Sequence, residues 1–309
     1  MARLLIFFVL SLCFAGASSA CEIETENRAD NVADYFETAQ LCLNEAPGDF
    51  RYSEAMEREF IDLINQERAA RGLEPLILRQ EMRPAARFHS LDMGVNDFFG
   101  HLTPDGRGST FRISVFDRTL LADTTAENVA RLKLNWECSD QDGARISCAD
   151  LQGLDTDVMA GAVDQIHKDL MASSGHRDNI LTPDATHIAL GVARTDSGIY
   201  VTQLFARPIG AFLTPVPIVL EAGGPLTTEV EFTNDLSFTR FALLDDEGMT
   251  DLEDGEVPLS LRGDVDLAVR GEAVSVYPTS NGQTQRGFSF MYVPGPAVTV
   301  VASDASTGS

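Results

Sequence analysis

Basic residues are scarce in this chain. Lysine and arginine number 23 against 47 aspartates and glutamates, a formal net charge of −24 over 309 residues. That balance repels phosphate backbones and anionic bilayers, which excludes general nucleic-acid binding. Its plain consequence is solubility outside the cell. Attraction of cations such as calcium is the functional alternative, but no D-x-[DN]-x-[DN]-G loop gathers ligands for one. Long apolar runs are missing beyond the first 17 residues, so no later segment reads as a membrane span. Tryptophan occurs once, and from residue 211 onward histidine, cysteine and tryptophan are all absent. Neither a G-x-S-x-G elbow nor an H-E-x-x-H helix occurs, so hydrolysis by either device has no local signature. Internal repeats are absent as well.

What is present begins with a short basic start, Met1-Ala2-Arg3, an apolar run from Leu4 to Ala17, and Ser18-Ser19-Ala20. This is the form of a cleaved secretory signal, residues 1–20, with an uncleaved anchor as the alternative. It predicts a secreted chain, extracellular or periplasmic, with no transmembrane segment once the signal is removed. Of five cysteines, Cys13 leaves with the signal, and Cys21, Cys42, Cys138 and Cys148 remain. Four cysteines allow three pairings. The local pairs Cys21–Cys42 and Cys138–Cys148 are favoured, each worth about 2–3 kcal/mol through loop closure. Lipidation of Cys21 is the rival reading. Ser18 stands where a lipoprotein signal usually has leucine, and lipidation leaves Cys42 without a local partner.

Residues 21–50 are acidic, with Val32, Phe36 and Ala39 at helical spacing before Pro47-Gly48. Ser53 can cap a second helix whose stripe is Met56, Phe60, Leu63 and Ile64, ended by Gly72. A third begins near Arg79, with Met82, Ala86, His89 and Met93 on one face. Met159, Ala162, Val163, Ile166 and Leu170 predict another, stopped at Gly175. Then the period becomes two: Ile188, Leu190 and Val192 alternate, a hairpin signal stands at Asp196-Ser197-Gly198, and Tyr200–Phe205 is rich in strand formers. The fold class predicted is α+β, with helices over both faces of an antiparallel sheet. Pro208 opens a different regime. Short apolar runs at Val216–Leu220, Thr228–Phe232, Ala268–Val269, Val274–Tyr277 and Gly287–Val293 are separated by turn pairs such as Asp254-Gly255, Asn281-Gly282 and Pro294-Gly295-Pro296. They predict a β-rich, sandwich-like domain over 211–302, followed by a disordered tail at 303–309.

Three segments carry more specific information: Phe99-Gly100-His101, Ala126-Glu127-Asn128-Val129-Ala130 and Gly175-His176-Arg177-Asp178-Asn179-Ile180-Leu181. With Ile64-Asn65-Gln66-Glu67-Arg68, His187–Val192 and Tyr200–Phe205, they resemble the CAP superfamily (cysteine-rich secretory protein, antigen 5, pathogenesis-related 1; SCP-like) in its bacterial form. The resemblance runs from about residue 55 to residue 207, within a CAP/SCP domain placed at 51–210, and implies an α-β-α sandwich. It also implies that His101, Glu127 and His176 line one central cleft. Ser173 stands where many eukaryotic members have a second cleft glutamate, and Ala126 replaces a glycine that members often carry. If that position needs a positive φ, alanine there is strained.

Two imidazoles and a carboxylate are the ligand set of one type of catalytic zinc site. They can equally share a proton, or fasten loops to the helix layer with no ligand. The metal reading, with His101, His176 and Glu127 holding a divalent cation, rests on the resemblance alone. Asn128 and Asn179 read as loop-fastening residues, and Arg177 with Asp178 as an ion pair or clamp. His89 reads as a core histidine, His167 as exposed and His187 as structural. Three functions compete. The favoured one is a non-enzymatic secreted binding module whose partner is an extracellular or envelope ligand: a lipid, a cell-wall polymer or a protein. The others are a metal-assisted extracytoplasmic hydrolase and a purely structural exoprotein domain.

Overall fold

The structure is a computed structural model that describes residues 21, 23, 31–133, 137–139, 145–147, 161–195, 198–233, 236–244, 248–252, 255–260, 265–278 and 283–302. The signal segment, Cys148, Met159, Asp196-Ser197, Asn281-Gly282 and the tail 303–309 lie outside the described residues.

The first sheet is built from β1 (Arg51–Tyr52), β2 (Ile77–Leu78), β3 (Leu120–Lys133), β6 (His187–Arg194), β7 (Gly198–Phe212) and β9 (Val230–Phe232). Its main path is β1-β6-β7-β3, with β2 parallel to β6 and β9 antiparallel to β7. Between β3 and β6 in the chain, β4 (Glu137–Ser139) and β5 (Arg145–Ser147) pair with each other as a separate two-stranded sheet. Helices cover both faces. On one side lie α1 (Val32–Asn44), α3 (Arg83–Val95) and α4 (Ser109–Phe116). On the other are α2 (Glu54–Ala69), α5 (Ala162–Ala172) and α6 (Ser174–Leu181). This is the three-layer arrangement the residue pattern predicts.

β6 shows why the layers form. Ile188, Leu190 and Val192 point into the core under α2 and α5, each worth about 1.5–3 kcal/mol against exposure. The alternate positions Ala189, Gly191 and Ala193 are small and face α3. That small face lets α3 lie directly on the strand. A Cβ on Gly191 would stand 2.1 Å from the Ala86 carbonyl carbon. Ser90 of α3 completes the contact, its Oγ 2.9 Å from the Gly191 carbonyl oxygen and 2.8 Å from Thr202 Oγ1.

Helix boundaries follow local chemistry. Ser53 Oγ accepts from Met56 N at the start of α2. Gly72 has φ +71 just past its end. Pro84 sits in the first turn of α3. Gly175, however, ends nothing. The chain leaves helix at Ser173 (φ −82°, ψ 124°), and Gly175 lies in the first turn of α6. Cys21 and Cys42 are joined by a disulfide that ties the N-terminal segment to α1. That bond uses the sulfur that lipidation would need.

The β-rich C-terminal part is one five-stranded sheet: β11 (Met249–Asp251), β10 (Leu236–Leu244), β12 (Val265–Pro278), β13 (Thr284–Val301) and β8 (Val219–Glu221), in that order. Its apolar face closes on the first sheet instead of on a second sheet of its own. Leu121 and Phe212 share a core with Val269, Val293, Val298 and Val300. Three sequence expectations change here. Thr228–Phe232 supplies β9, which joins the first sheet. Ala268–Val269 and Val274–Tyr277 are parts of one strand. Pro294-Gly295-Pro296 makes no turn: Ala268 pairs with Ala297 and Arg270 with Pro294, so the two intervening residues form a bulge opposite Val269.

Candidate functional site

Glu127 lies on β3, in regular strand, where the sequence suggests a loop. Ala126 is therefore unstrained. Among the described residues only Asp97 is a non-glycine with positive φ. The Glu127 side chain is 3% exposed, and both carboxylate oxygens are engaged. Oε2 accepts from Arg112 Nη2 at 2.5 Å, and Oε1 lies 2.9 Å from His101 Nδ1. A carboxylate only accepts, so His101 Nδ1 carries the proton and Nε2 is the nitrogen left for other contacts.

Sequence reasoning missed Arg112. Its guanidinium is fully buried on α4, where Ile113, Val115 and Phe116 are also buried. It donates to the His101 carbonyl at 3.0 Å and to the Arg107 carbonyl at 2.7 Å. One side chain thus pins both ends of the 101–107 loop and neutralises Glu127. The available signal is an arginine inside the largely apolar run Phe111–Phe116, which otherwise has only Ser114 as a polar residue. His89 fastens the same loop from α3, its Nε2 2.9 Å from the Gly100 carbonyl oxygen. The core-histidine reading holds, and the ring also positions His101.

His176 stands on α6, half-buried. Burial, and then the charge of His101, hold its ring below the ordinary histidine range. The two imidazoles are therefore within electrostatic reach. Glu127 is hydrogen-bonded to His101 and not to His176. The link to His176 runs through amides instead. Asn128 Nδ2 donates to the His176 carbonyl at 3.1 Å and to Gln203 Oε1 at 3.1 Å. Asn179 Nδ2 donates to the Glu127 carbonyl at 3.2 Å and to Asn128 Oδ1 at 2.9 Å. Arg177 clamps the end of α5 through the Met171 carbonyl at 3.1 Å.

A cavity of about 230 Å³ opens beside this cluster. Val129, Ala130 and Arg131 of β3 form its floor. Ile166, Asp169 and Leu170 of α5 form one wall, Phe99 the other, and Ser173 and His176 close one end. Arg131 lays its guanidinium over the Phe99 ring, 4.8 Å from the centroid. Ser173 lines the cavity beside His176, and no hydrogen bond joins its Oγ to that ring.

The residues of the cluster do not form a three-ligand zinc site. Among the described residues no three His, Cys, Asp or Glu side chains stand close enough to hold one ion. Glu127 already spends its oxygens on Arg112 and His101, and the buried guanidinium beside it opposes a cation.

The remaining motif residues are structural. Asn65 exchanges two bonds with the Leu76 backbone, at 2.8 and 3.2 Å. Arg68, buried, donates to the carbonyls of Glu74, Ile180, Thr182 and Ala185 at 2.8–3.2 Å, binding α2 to the end of α6. Outside the motifs, buried Asp117 pairs with Arg79. His187 meets Thr186 Oγ1 at 2.9 Å where β6 begins. His167 corrects the sequence reading: it is 5% exposed, on the buried side of α5, with both ring nitrogens unpaired. Burial holds it below the ordinary histidine range. A stripe of Val163, Ile166 and Leu170 counted one residue too narrow hides it.

The chain is 31% identical over 151 residues to YkwD of Bacillus subtilis (strain 168), described as an uncharacterized protein. The match covers 49% of this chain and 47% of that protein, so the chain spans about half the length of this curated relative. Among solved structures, an extracellular protein containing a SCP domain from Bacillus anthracis str. Ames is 24% identical, with TM-score 0.33, over 49% of this chain and 40% of that one. An outer surface protein of Borrelia burgdorferi is 14% identical, with TM-score 0.38, over 51% of this chain and 98% of that one. Residues 61–205 match the model of the CAP, or cysteine-rich secretory protein, family, and this part of the chain is a CAP domain.

Proposed function

We propose that this is an extracytoplasmic protein whose CAP domain is a binding module, with its ligand seated in the cavity beside His176 and no hydrolysis. One observation supports this reading above the others: Glu127, the carboxylate a hydrolase would use as base or ligand, is held between Arg112 at 2.5 Å and His101 at 2.9 Å in a buried pocket. A general base needs an oxygen within reach of the proton it takes. Both oxygens of Glu127 face inward to loop-fastening partners. The nearby Ser173 hydroxyl has no hydrogen bond to the His176 ring. What remains open is shape: a cavity with apolar walls, one imidazole, one carboxylate and one guanidinium. The Cys21–Cys42 disulfide and the N-terminal apolar segment support an oxidising compartment outside the cytoplasm.

The test is turnover. Purified protein incubated with peptides and cell-wall polymers, followed by mass spectrometry, is expected to give no cleavage. Cleavage that disappears in a folded His176→Ala variant would overturn the proposal.

A further inference from the structure

The cavity floor is a sheet edge. β7 divides its backbone groups between two neighbours. The Gly198 carbonyl accepts from Thr195 N at 2.9 Å and the Ala206 carbonyl from Thr186 N at 3.1 Å, both on the β6 side. Even-numbered residues of β7 therefore bond toward β6 and odd-numbered ones toward β3. Register pairs Phe205 with Ala126, Gln203 with Asn128 and Val201 with Ala130. Those residues of β3 close the ladder, so Glu127, Val129 and Arg131 turn their N–H and C=O groups outward. Asn179 gives independent support, because it donates to the Glu127 carbonyl from that outer side. No strand of the described residues pairs with β3 there. Among the described residues no hydrogen bond reaches the outward groups of Val129 and Arg131.

Val129 and Arg131 therefore present two donors and two acceptors, in strand geometry, to the cavity they line. The opening lies between the two helix layers: Phe99 stands on one side, Ile166 and Leu170 on the other. A compact ligand would satisfy one or two of these backbone groups. An extended peptide satisfies all four and sends alternate side chains to the two walls. Charge selects among peptides. Arg131 also lines the cavity, but its guanidinium is turned onto the Phe99 ring, which leaves the Asp169 carboxylate on the wall and the net charge of −24 to attract a basic segment.

We propose that the edge of β3 at Val129 and Arg131 takes an extended, basic peptide segment as an added strand, between Phe99 and the Ile166–Leu170 face of α5. This deepens the binding-module reading and rests on it.

The experiment uses the full chain and an acetylated, amidated octapeptide of alternating lysine and valine. Its fully N-methylated form keeps the side chains and charge but has no backbone donors. Binding is followed by titration calorimetry and amide hydrogen exchange. The expected result is exchange at Val129 and Arg131 slowed about tenfold or more by the parent peptide, and affinity at least about tenfold weaker for the N-methylated one. Phe99→Ala, at a half-exposed position whose loss leaves the core intact, is expected to weaken binding severalfold. Equal affinity for the two peptides would mean simple attraction to an acidic surface and would overturn the proposal. So would amides at Val129 and Arg131 already protected in the free protein, which would mean that the chain covers its own edge. Absence of binding, with no turnover, sinks the peptide assignment and leaves the binding module standing. Cleavage of the bound peptide sinks the non-hydrolytic reading and leaves the strand addition standing.

Discussion

Glu127 must satisfy its oxygens where water barely reaches, and two neighbours do so from different elements: Arg112 from α4 and His101 from the loop after α3. Such a pair adds little net stability relative to a well-packed apolar pair, but breaking it is expensive, because the remaining charge is stranded. Arg112→Met is therefore expected to lower the unfolding free energy by about 3–5 kcal/mol. Adding Glu127→Gln to it is expected to restore part of that loss, since no charge is then left unpaired. Urea denaturation of the two single variants and the double variant measures this. Purely additive losses would mean that the two residues do not act together. The sequence marks Glu127 and His101 through their flanking residues. It does not mark Arg112, because an arginine at a helix surface and one driven into a core look alike until the strand beneath is known.

Element by element, the best-read pieces are those whose pattern needs no distant partner. The stripes of α2 and α3 and the hairpin of β6 and β7 follow from periods of 3.6 and 2. β3 was invisible for the opposite reason. Its run Leu120–Lys133 mixes Asp123, Thr124 and Glu127 with apolar residues, because one edge and parts of both faces serve the site and not the core. Within β13 the sequence Pro294-Gly295-Pro296 reads as a turn, since prolines tolerated in a bulge look the same as prolines that make a turn. Ala189-x-Gly191-x-Ala193 is legible once β6 is known: small residues on one face announce a close helix. Gly191→Ala would press a methyl group into the α3 backbone at Ala86. It is expected to cost about 3 kcal/mol or more and to lower the thermal midpoint by several degrees. A variant as stable as the parent would show that α3 does not sit on the strand.

Across the whole molecule, the three-layer architecture and the change of character beyond Pro208 are both written in the periodicity and in the disappearance of histidine, cysteine and tryptophan. How the C-terminal sheet packs is not, because Leu121 and Phe212 look like ordinary members of the first sheet until Val269, Val293 and Val298 arrive against them. The same holds for the cleft. Its members are named by motif, but their use as tether or as ligand depends on which oxygen faces which nitrogen. If Glu127 is a tether, the chain has no built zinc site despite its two imidazoles and its −24 charge. Zinc titration by calorimetry, on protein purified without chelators and on a His101→Ala/His176→Ala variant, decides this. The account predicts weak binding spread over the acidic surface and unchanged in the variant. One stoichiometric, tight site abolished in the variant would contradict it.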